Sequence, residues 1–268
     1  MKFTKMHGLG NDYIFVDCFA DTVSDPSKAA KVLSQHHFGV GSDGLILIWP
    51  SEKADCRMQM FNADGTEGVM CGNGIRCVGK YMYDHGRAVK PTITVETLDG
   101  IKTLKIYPEN GKAAQIRVDM GKPVLESPQP EKITIAGSEW AFSAVDVGSP
   151  HAAYIVPDCE AVPLEKIGTL FEHASRFPNR VNSEFVQVLD RSHLRMRVWE
   201  RGSGITLACG TGAVASVVAS HALGLTDASV EVQMDGGALR IEIDAATGHV
   251  FMTGPAVEVL QGETALVD

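Results

Sequence analysis

The string Met70-Cys71-Gly72-Asn73-Gly74 returns half a chain later as Ala208-Cys209-Gly210-Thr211-Gly212, so each half of the sequence carries one Cys-Gly-x-Gly. Each copy runs into residues with helical apolar spacing: Ile75, Val78 and Met82 after the first, Val214, Val217 and Val218 after the second. The repeat extends beyond the cysteines. Gly10-Asn11 leads to Tyr13-Ile14-Phe15-Val16, and Gly148-Ser149, at the same offset as the two cysteines, leads to Tyr154-Ile155-Val156. Phe61-Asn62 precedes Cys71 by the same distance that Trp199-Glu200 precedes Cys209. Behind each predicted helix stands a hairpin signal, Asp99-Gly100 in one half and Asp235-Gly236-Gly237 in the other, between alternating apolar runs. A third strand closes each set, at Met120-Gly121 and at Thr253-Gly254. Four matches in the same order indicate an internal duplication. The expected fold is therefore two homologous α+β domains, with the chain crossing between them near Gly121 to Pro130.

A cysteine at the start of a helix faces free backbone N–H groups and the positive end of the helix dipole, which are expected to lower its thiol pKa. One such thiol suggests a nucleophile; two related by a repeat suggest a pair of proton carriers. The glycines allow two readings, tight packing at the helix entrance or bare N–H groups left open to a carboxylate. Inverting a tetrahedral carbon requires a base on one face and an acid on the other, and a thiolate and a thiol with pKa values near the working pH meet that need. Helix dipoles aimed at the α-carboxylate would supply the electron withdrawal. No pyridoxal phosphate or other cofactor is then expected.

Other features narrow the class. Hydrophobic residues make up 44% and charged residues 21%, a globular composition. No apolar run approaches the length needed to span a bilayer, and the N-terminal segment has no signal-type apolar stretch. A cytoplasmic protein with six reduced cysteines is expected. A net charge of −9 without a basic stripe argues against nucleic acid and leaves a small molecule as the expected partner. No C-x-x-C pair is present, so no metal site is expected; Cys18, Cys56, Cys77 and Cys159 read as small buried hydrophobes. The segment Gly74-Ile75-Arg76-Cys77-Val78-Gly79-Lys80-Tyr81 is one residue from a phosphate-binding loop, but Tyr81 stands where Ser or Thr would hold Mg²⁺, and the helical run begins too early. His151 and Glu200 each have a plain reading as a satisfied or surface residue; their place in the repeat makes them candidates. His36 and His37 lack that context.

At these residues the chain resembles the diaminopimelate epimerase family. The matching strings are Met6-His7-Gly8-Leu9-Gly10-Asn11-Asp12-Tyr13, Phe61-Asn62-Ala63-Asp64-Gly65, Cys71-Gly72-Asn73-Gly74-Ile75-Arg76-Cys77, Arg180-Val181-Asn182, and Glu200-Arg201-Gly202 leading to Ala208-Cys209-Gly210-Thr211-Gly212. The resemblance implies two pseudo-symmetric lobes, each a barrel-like, mostly antiparallel sheet around a central helix. The N-terminal lobe would hold residues 1–120 together with the returning tail 257–268, and the C-terminal lobe 121–256. It implies Cys71 and Cys209 as the acid–base thiols, with His151 and Glu200 tuning their pKa values. Gly72, Asn73, Gly210 and Thr211 would hold the carboxylate at the reacting centre. Asn11, Asn62, Ser149, Asn182, Glu200 and Arg201 would bind the rest of the substrate, with Arg201 pairing its distal carboxylate. A homodimer is a further expectation. The family usually has Asn where Ser149 stands, a difference bearing on specificity; some members have Gln where Gly44 stands.

Three functions follow as expectations. The first is cofactor-independent interconversion of LL- and meso-diaminopimelate, a step in lysine and peptidoglycan precursor synthesis. The second is racemisation of another amino acid such as histidine, suggested by Ser149. The third, from a different class, is a binding protein that uses the cysteine pair as a thiol switch.

Overall fold

The computed structural model describes residues 1–267. The chain divides into two compact units, Met1–Val118 with Gly254–Asp268, and Asp119–Thr253. In the first unit the elements are β1 (Lys2–Gly8), β2 (Asn11–Asp17), α1 (Pro26–Leu33), β3 (Gly44–Trp49), β4 (Cys56–Asn62), β5 (Glu67–Gly68), α2 (Gly72–Asp84), β6 (Thr92–Thr97), β7 (Gly100–Glu109) and β8 (Lys112–Asp119). In the second they are β9 (Val124–Leu125), β10 (Glu131–Ile135), β11 (Ser138–Asp146), β12 (Pro150–Ile155), α3 (Leu164–Glu172), β13 (Asn182–Asp190), β14 (His193–Glu200), β15 (Gly204–Ile205), α4 (Gly210–Ala222), β16 (Ser229–Met234), β17 (Gly237–Ile243) and β18 (Val250–Gly254). The last strand, β19 (Val257–Glu263), pairs antiparallel with β1.

The pairing order repeats. In the first unit β1 pairs antiparallel with β2, β2 parallel with β3, β3 antiparallel with β4, β4 parallel with β6, and β6–β7–β8 form a meander. The second unit runs β11, β12, β13, β14, β16, β17, β18 with the same sequence of directions. Register is preserved too: Tyr13 faces Gly44 across β2–β3, and His151 faces Asn182 across β12–β13, both members of the pair displaced by the offset that separates Cys71 from Cys209. Each unit is thus a mostly antiparallel α+β sheet interrupted by two parallel pairs.

Each sheet wraps a long helix and carries a short one. Every side chain from Leu45 to Ile48 in β3 is buried, because the strand is covered on both faces. Leu45 and Leu47 pack with Ala29, Ala30 and Leu33 of α1, while Ile46 reaches the first turn of α2. α4 carries Ala213, Val214, Ala215, Val217 and Ala219, all buried and distributed around the helix, as expected of a helix enclosed by its sheet. The outer cores differ. The α1 side is mainly aliphatic, whereas the α3 side is aromatic: Tyr154 stacks on Phe185 with ring centroids 5.3 Å apart, and Phe171 meets Trp140 edge-on at 5.1 Å. The residues resembling a phosphate loop, 74–81, lie inside α2.

The turns expected from Asp-Gly pairs form with slightly different boundaries. β6 and β7 join across Leu98-Asp99, with Gly100 at φ +85°, and β16 and β17 join across Asp235-Gly236. A tighter constraint sits in the turn after Asn62. Gly65 has φ +81°, and a Cβ there would stand 2.7 Å from the Ser27 backbone oxygen. Gly65→Ala should combine a left-handed backbone penalty of about 1–2 kcal/mol with that clash. The expected outcome is a melting temperature lower by several degrees, about 2–4 °C per kcal/mol, measured by circular dichroism.

Candidate active site

Two cysteine-capped helices define the candidate residues. Cys71 is the N-cap of α2, and its Sγ accepts the Gly74 N–H at 3.3 Å. Cys209 is the N-cap of α4, and its Sγ accepts the Gly212 N–H, also at 3.3 Å. Extended backbone at each cysteine, φ −126° and −125°, turns the thiol across the helix entrance in the manner of a serine or aspartate cap. Glycine at the third helical position has a packing reason as well. A Cβ at Gly74 would lie 2.6 Å from Ile46 Cδ1, and one at Gly212 would lie 2.8 Å from Glu184 Oε1. Close packing is therefore one reason for glycine at each of these positions.

Around Cys71 the first unit assembles a polar set. Asn11 Oδ1 lies 3.3 Å from Cys71 Sγ and accepts from Asn73 Nδ2 at 3.3 Å. Asn11 Nδ2 donates to Asp43 Oδ2 at 2.7 Å, and the Asp12 N–H donates to the same oxygen. Burial holds the Asp43 carboxyl above its ordinary range despite those donors. Tyr13, inside this set, is driven well above the usual phenol range by burial and by the neighbouring Cys71. The fully buried Arg76 clamps the start of α2: Nη1 donates to Gly72 O at 3.0 Å, Nη2 to Asn73 Oδ1 at 3.0 Å, and Nε to Pro255 O at 3.1 Å. Burial lowers that guanidinium to about 10, still protonated at neutral pH. Asn62 ends β4 with an exposed side chain bonded to Thr66 Oγ1, with no bond to the Cys71 set among the described contacts. A Cβ at Gly44 would stand 2.1 Å from Phe61 O, so this strand pairing accepts glycine there.

The second unit is more acidic. Cys209, 5% exposed, lies 3.4 Å from Thr211 Oγ1 and within hydrogen-bonding reach of the Glu200 carboxyl, which also accepts from Thr206. Burial pushes the Cys209 thiol well up, and the charges of Glu200 and Glu184 add to that; Thr211 and the Gly212 N–H pull the other way and lose. The expectation that a helix entrance lowers the thiol pKa fails at Cys209, because two N–H and O–H donors do not offset full burial beside two carboxyl groups. Glu200 tunes the thiol upward, and burial raises the Glu200 carboxyl itself, with His151 acting in the opposite sense. His151 reaches the thiol's surroundings through that carboxyl and through Glu184, whose Oε1 lies 2.6 Å from His151 Nδ1. On its other side His151 Nε2 lies 3.0 Å from Ser149 Oγ. The Asn182 amide is engaged by backbone at both ends, donating to Pro150 O at 3.1 Å and accepting the Arg201 N–H at 2.9 Å. It orients the turn that presents Arg201, whose exposed guanidinium reaches Asn179 O at 3.5 Å.

Residues with no assigned role in the sequence reading prove central: Tyr13, Asp43 and Arg76 near Cys71, Glu184 near Cys209, and Glu172. Tyr13 and Arg76 lay inside the matching strings, so position alone could have flagged them. The four remaining cysteines are buried, and burial lifts Cys18, Cys56 and Cys77 to about 12. No helix among the described residues is long and apolar enough to cross a membrane.

The architecture matches solved structures across almost the whole chain. A hydroxyproline epimerase from Agrobacterium vitis aligns with a TM-score of 0.79 at 16% identity, covering 100% of this chain and 93% of that one. A PhzF-family phenazine biosynthesis protein from Bacillus anthracis aligns with a TM-score of 0.76 at 17% identity, covering 98% of each. The fold is thus the duplicated α+β fold found in these proteins, an epimerase among them. Sequence comparison is more specific. The diaminopimelate epimerase family profile matches residues 3–126 and 143–259. Diaminopimelate epimerases from Acetivibrio thermocellus and Bacteroides thetaiotaomicron are 52% and 49% identical, covering 99% and 98% of this chain and 99% and 97% of their own lengths. The chain belongs to the diaminopimelate epimerase family and is an isomerase.

Glu172 shows how the Arg201 turn is held. Its carboxylate, 4% exposed, accepts from Trp199 Nε1 at 2.8 Å, the Gly202 N–H at 3.0 Å and Arg180 Nη1 at 3.2 Å. Burial alone would raise its pKa, but these donors outweigh burial and leave it below the ordinary value. A carboxylate lowered on folding stabilises the protein above its unfolded pKa, about 4.3, and that contribution disappears as pH falls through the lowered folded value. Glu172→Gln should cost about 1–3 kcal/mol at pH 7. The gap in melting temperature between wild type and variant should narrow as pH drops from 5 towards 3, as followed by calorimetry.

Proposed function

We propose that this protein interconverts LL- and meso-diaminopimelate without a cofactor, using Cys71 and Cys209 as its two acid–base groups, as part of lysine and peptidoglycan precursor synthesis. The observation that carries the reading is the duplicated cap, one thiol on each long helix with the same Sγ to N–H contact three residues on. Family membership supports the substrate, since the relatives named above carry that activity in their names.

In the proposed reaction a thiolate takes the α-proton and the other thiol delivers a proton to the opposite face of the carbanion, so the proton count is unchanged and the centre inverts. Cys209, held as a thiol by burial and by Glu200 and Glu184, is the donor when the reaction begins at Cys71, and the roles exchange in reverse. Gly72 and Asn73 lie in the first turn of α2, and Gly210 and Thr211 in the first turn of α4, at the positive ends of the helix dipoles, a position suited to a carboxylate. Charge drawn onto that carboxylate stabilises the carbanion electrostatically. Asn11 lies beside Cys71 and Asn73, Asn62 is a further substrate-binding side chain, and the exposed Arg201 pairs the distal carboxylate.

A second reading keeps the chemistry and changes the substrate. Ser149 spends its hydroxyl on His151 and has no amide to offer a distal ammonium or carboxylate, which favours another amino acid such as histidine. The two readings separate in D₂O. With LL-diaminopimelate, loss of the α-proton NMR signal accompanied by inversion is expected, and a fall of at least about a hundredfold in Cys71→Ala and in Cys209→Ala. Exchange with histidine but none with diaminopimelate would move the assignment to the second reading. Full turnover in either cysteine variant would end the two-thiol reading.

A further inference from the structure

The duplication places Tyr13 and His151 at equivalent positions, and likewise Ile46 and Glu184, each pair separated by the common offset of the repeat and set in the same strand register. Both residues of the second pair sit under the first turn of their unit's long helix. Ile46 Cδ1 is the atom a Cβ at Gly74 would meet, and Glu184 Oε1 is the atom a Cβ at Gly212 would meet. The third helical residue therefore rests over an apolar branch in one unit and over a carboxyl in the other. Glu184 is fully buried, and so is His151 at 1% exposure. They form an ordered chain: Ser149 Oγ to His151 Nε2 at 3.0 Å, then His151 Nδ1 to Glu184 Oε1 at 2.6 Å. The second carboxyl oxygen, Oε2, has no hydrogen-bond partner among the described residues. A buried polar group left in that condition is expensive, and a hydrophobic residue fills the equivalent place in the first unit without that cost. Stability therefore gives no reason for a glutamate here.

We propose that Glu184 is a positioning residue for the Cys209 proton donor: its carboxyl accepts a hydrogen bond from His151 Nδ1, fixing which ring nitrogen faces Ser149, and stands beneath the entrance of α4 that Cys209 caps. The titratable groups acting on this carboxylate are His151 and Tyr154 on β12, Glu200 on β14 and Cys209 on α4. Three of these four are acidic; the fourth, His151, is hydrogen-bonded to the carboxyl. Tyr154 answers the same field, its phenol lifted by burial and then by Glu184. The inference rests on the reading of Cys209 as an acid–base group, and its main test needs no turnover.

The test is the pH dependence of Cys209 alkylation by iodoacetamide, resolved from the other cysteines by peptide mass spectrometry. Glu184→Gln keeps the shape and removes the charge. The midpoint for Cys209 should fall by about one pH unit or more, the size of a close like-charge effect, while Cys71 stays as in wild type. In the epimerase assay kcat should fall about tenfold or more with KM nearly unchanged. Glu184→Asp restores charge but retracts it from His151; its alkylation midpoint should return towards wild type while kcat stays low. If Glu184→Gln does not fold, that kcat loss at constant KM in Glu184→Asp decides the matter alone. An unmoved Cys209 midpoint in folded Glu184→Gln, or full kcat in Glu184→Asp, overturns the proposal. Failure of the underlying reading would show elsewhere, as α-proton exchange surviving Cys209→Ala.

Discussion

Everything in the candidate site depends on one small interaction, a cysteine sulfur capping the helix that follows it. The cap requires an extended residue at the helix entrance and an N–H three residues on, and both long helices meet it with the same 3.3 Å contact. It satisfies one of the N–H groups that a helix start leaves without a partner in the helix, that of Gly74 in one unit and of Gly212 in the other. The rest of each unit keeps this arrangement in place. Arg76 ties the first turn of α2 to Gly72 O and Pro255 O, and the apolar girth of α4 lets the sheet enclose it on all sides. Glycine at the third helical position brings the strand beneath to within contact, Ile46 in one unit and Glu184 in the other.

The two halves share a frame and differ in chemistry. Strand directions, register and the cap are common to both, whereas the residues around the sulfur are not. Asn11 and Tyr13 hydrogen-bond with Cys71, and Asp43 holds Asn11 in place. Cys209 instead lies fully buried near two carboxyl groups, with a histidine between Ser149 and Glu184. A pair of thiols in equal surroundings would titrate alike; unequal surroundings separate donor from acceptor, which is what the proposed inversion needs at any moment. The same contrast runs through the outer cores, aliphatic on α1 and aromatic on α3.

Much of this was legible in the amino-acid sequence. The helices after each Cys-Gly-x-Gly, the hairpin turns and the α+β class follow from short local spacings, and the recurrence of those spacings reveals the duplication; local spacing is what a sequence displays directly. The site was legible in part. Cys71 and Cys209 stand where the repeat and the resemblance put them. The pKa of Cys209 was not legible, because a helix entrance argues downward while burial and two distant carboxyls argue upward, and only the fold reveals that Glu184 and Glu200 come together there. Asn182 is singled out by the resemblance, while its bonds to Pro150 O and the Arg201 N–H are long-range contacts that no local pattern announces. Glu172 and Glu184 carry no local pattern that marks them, since their partners come from other strands and turns.

The sequence by itself determined the repeated units, the secondary structure that carries each cysteine and the kind of chemistry a pair of thiols permits, since these depend on neighbours within a turn of helix or a hairpin. Tertiary structure decided which groups surround each sulfur and how strongly the Cys209 thiol holds its proton. Desolvation and Coulomb interaction depend on distance through space, and residues 151, 184, 200 and 209 acquire those distances only when the strands have paired around the helix.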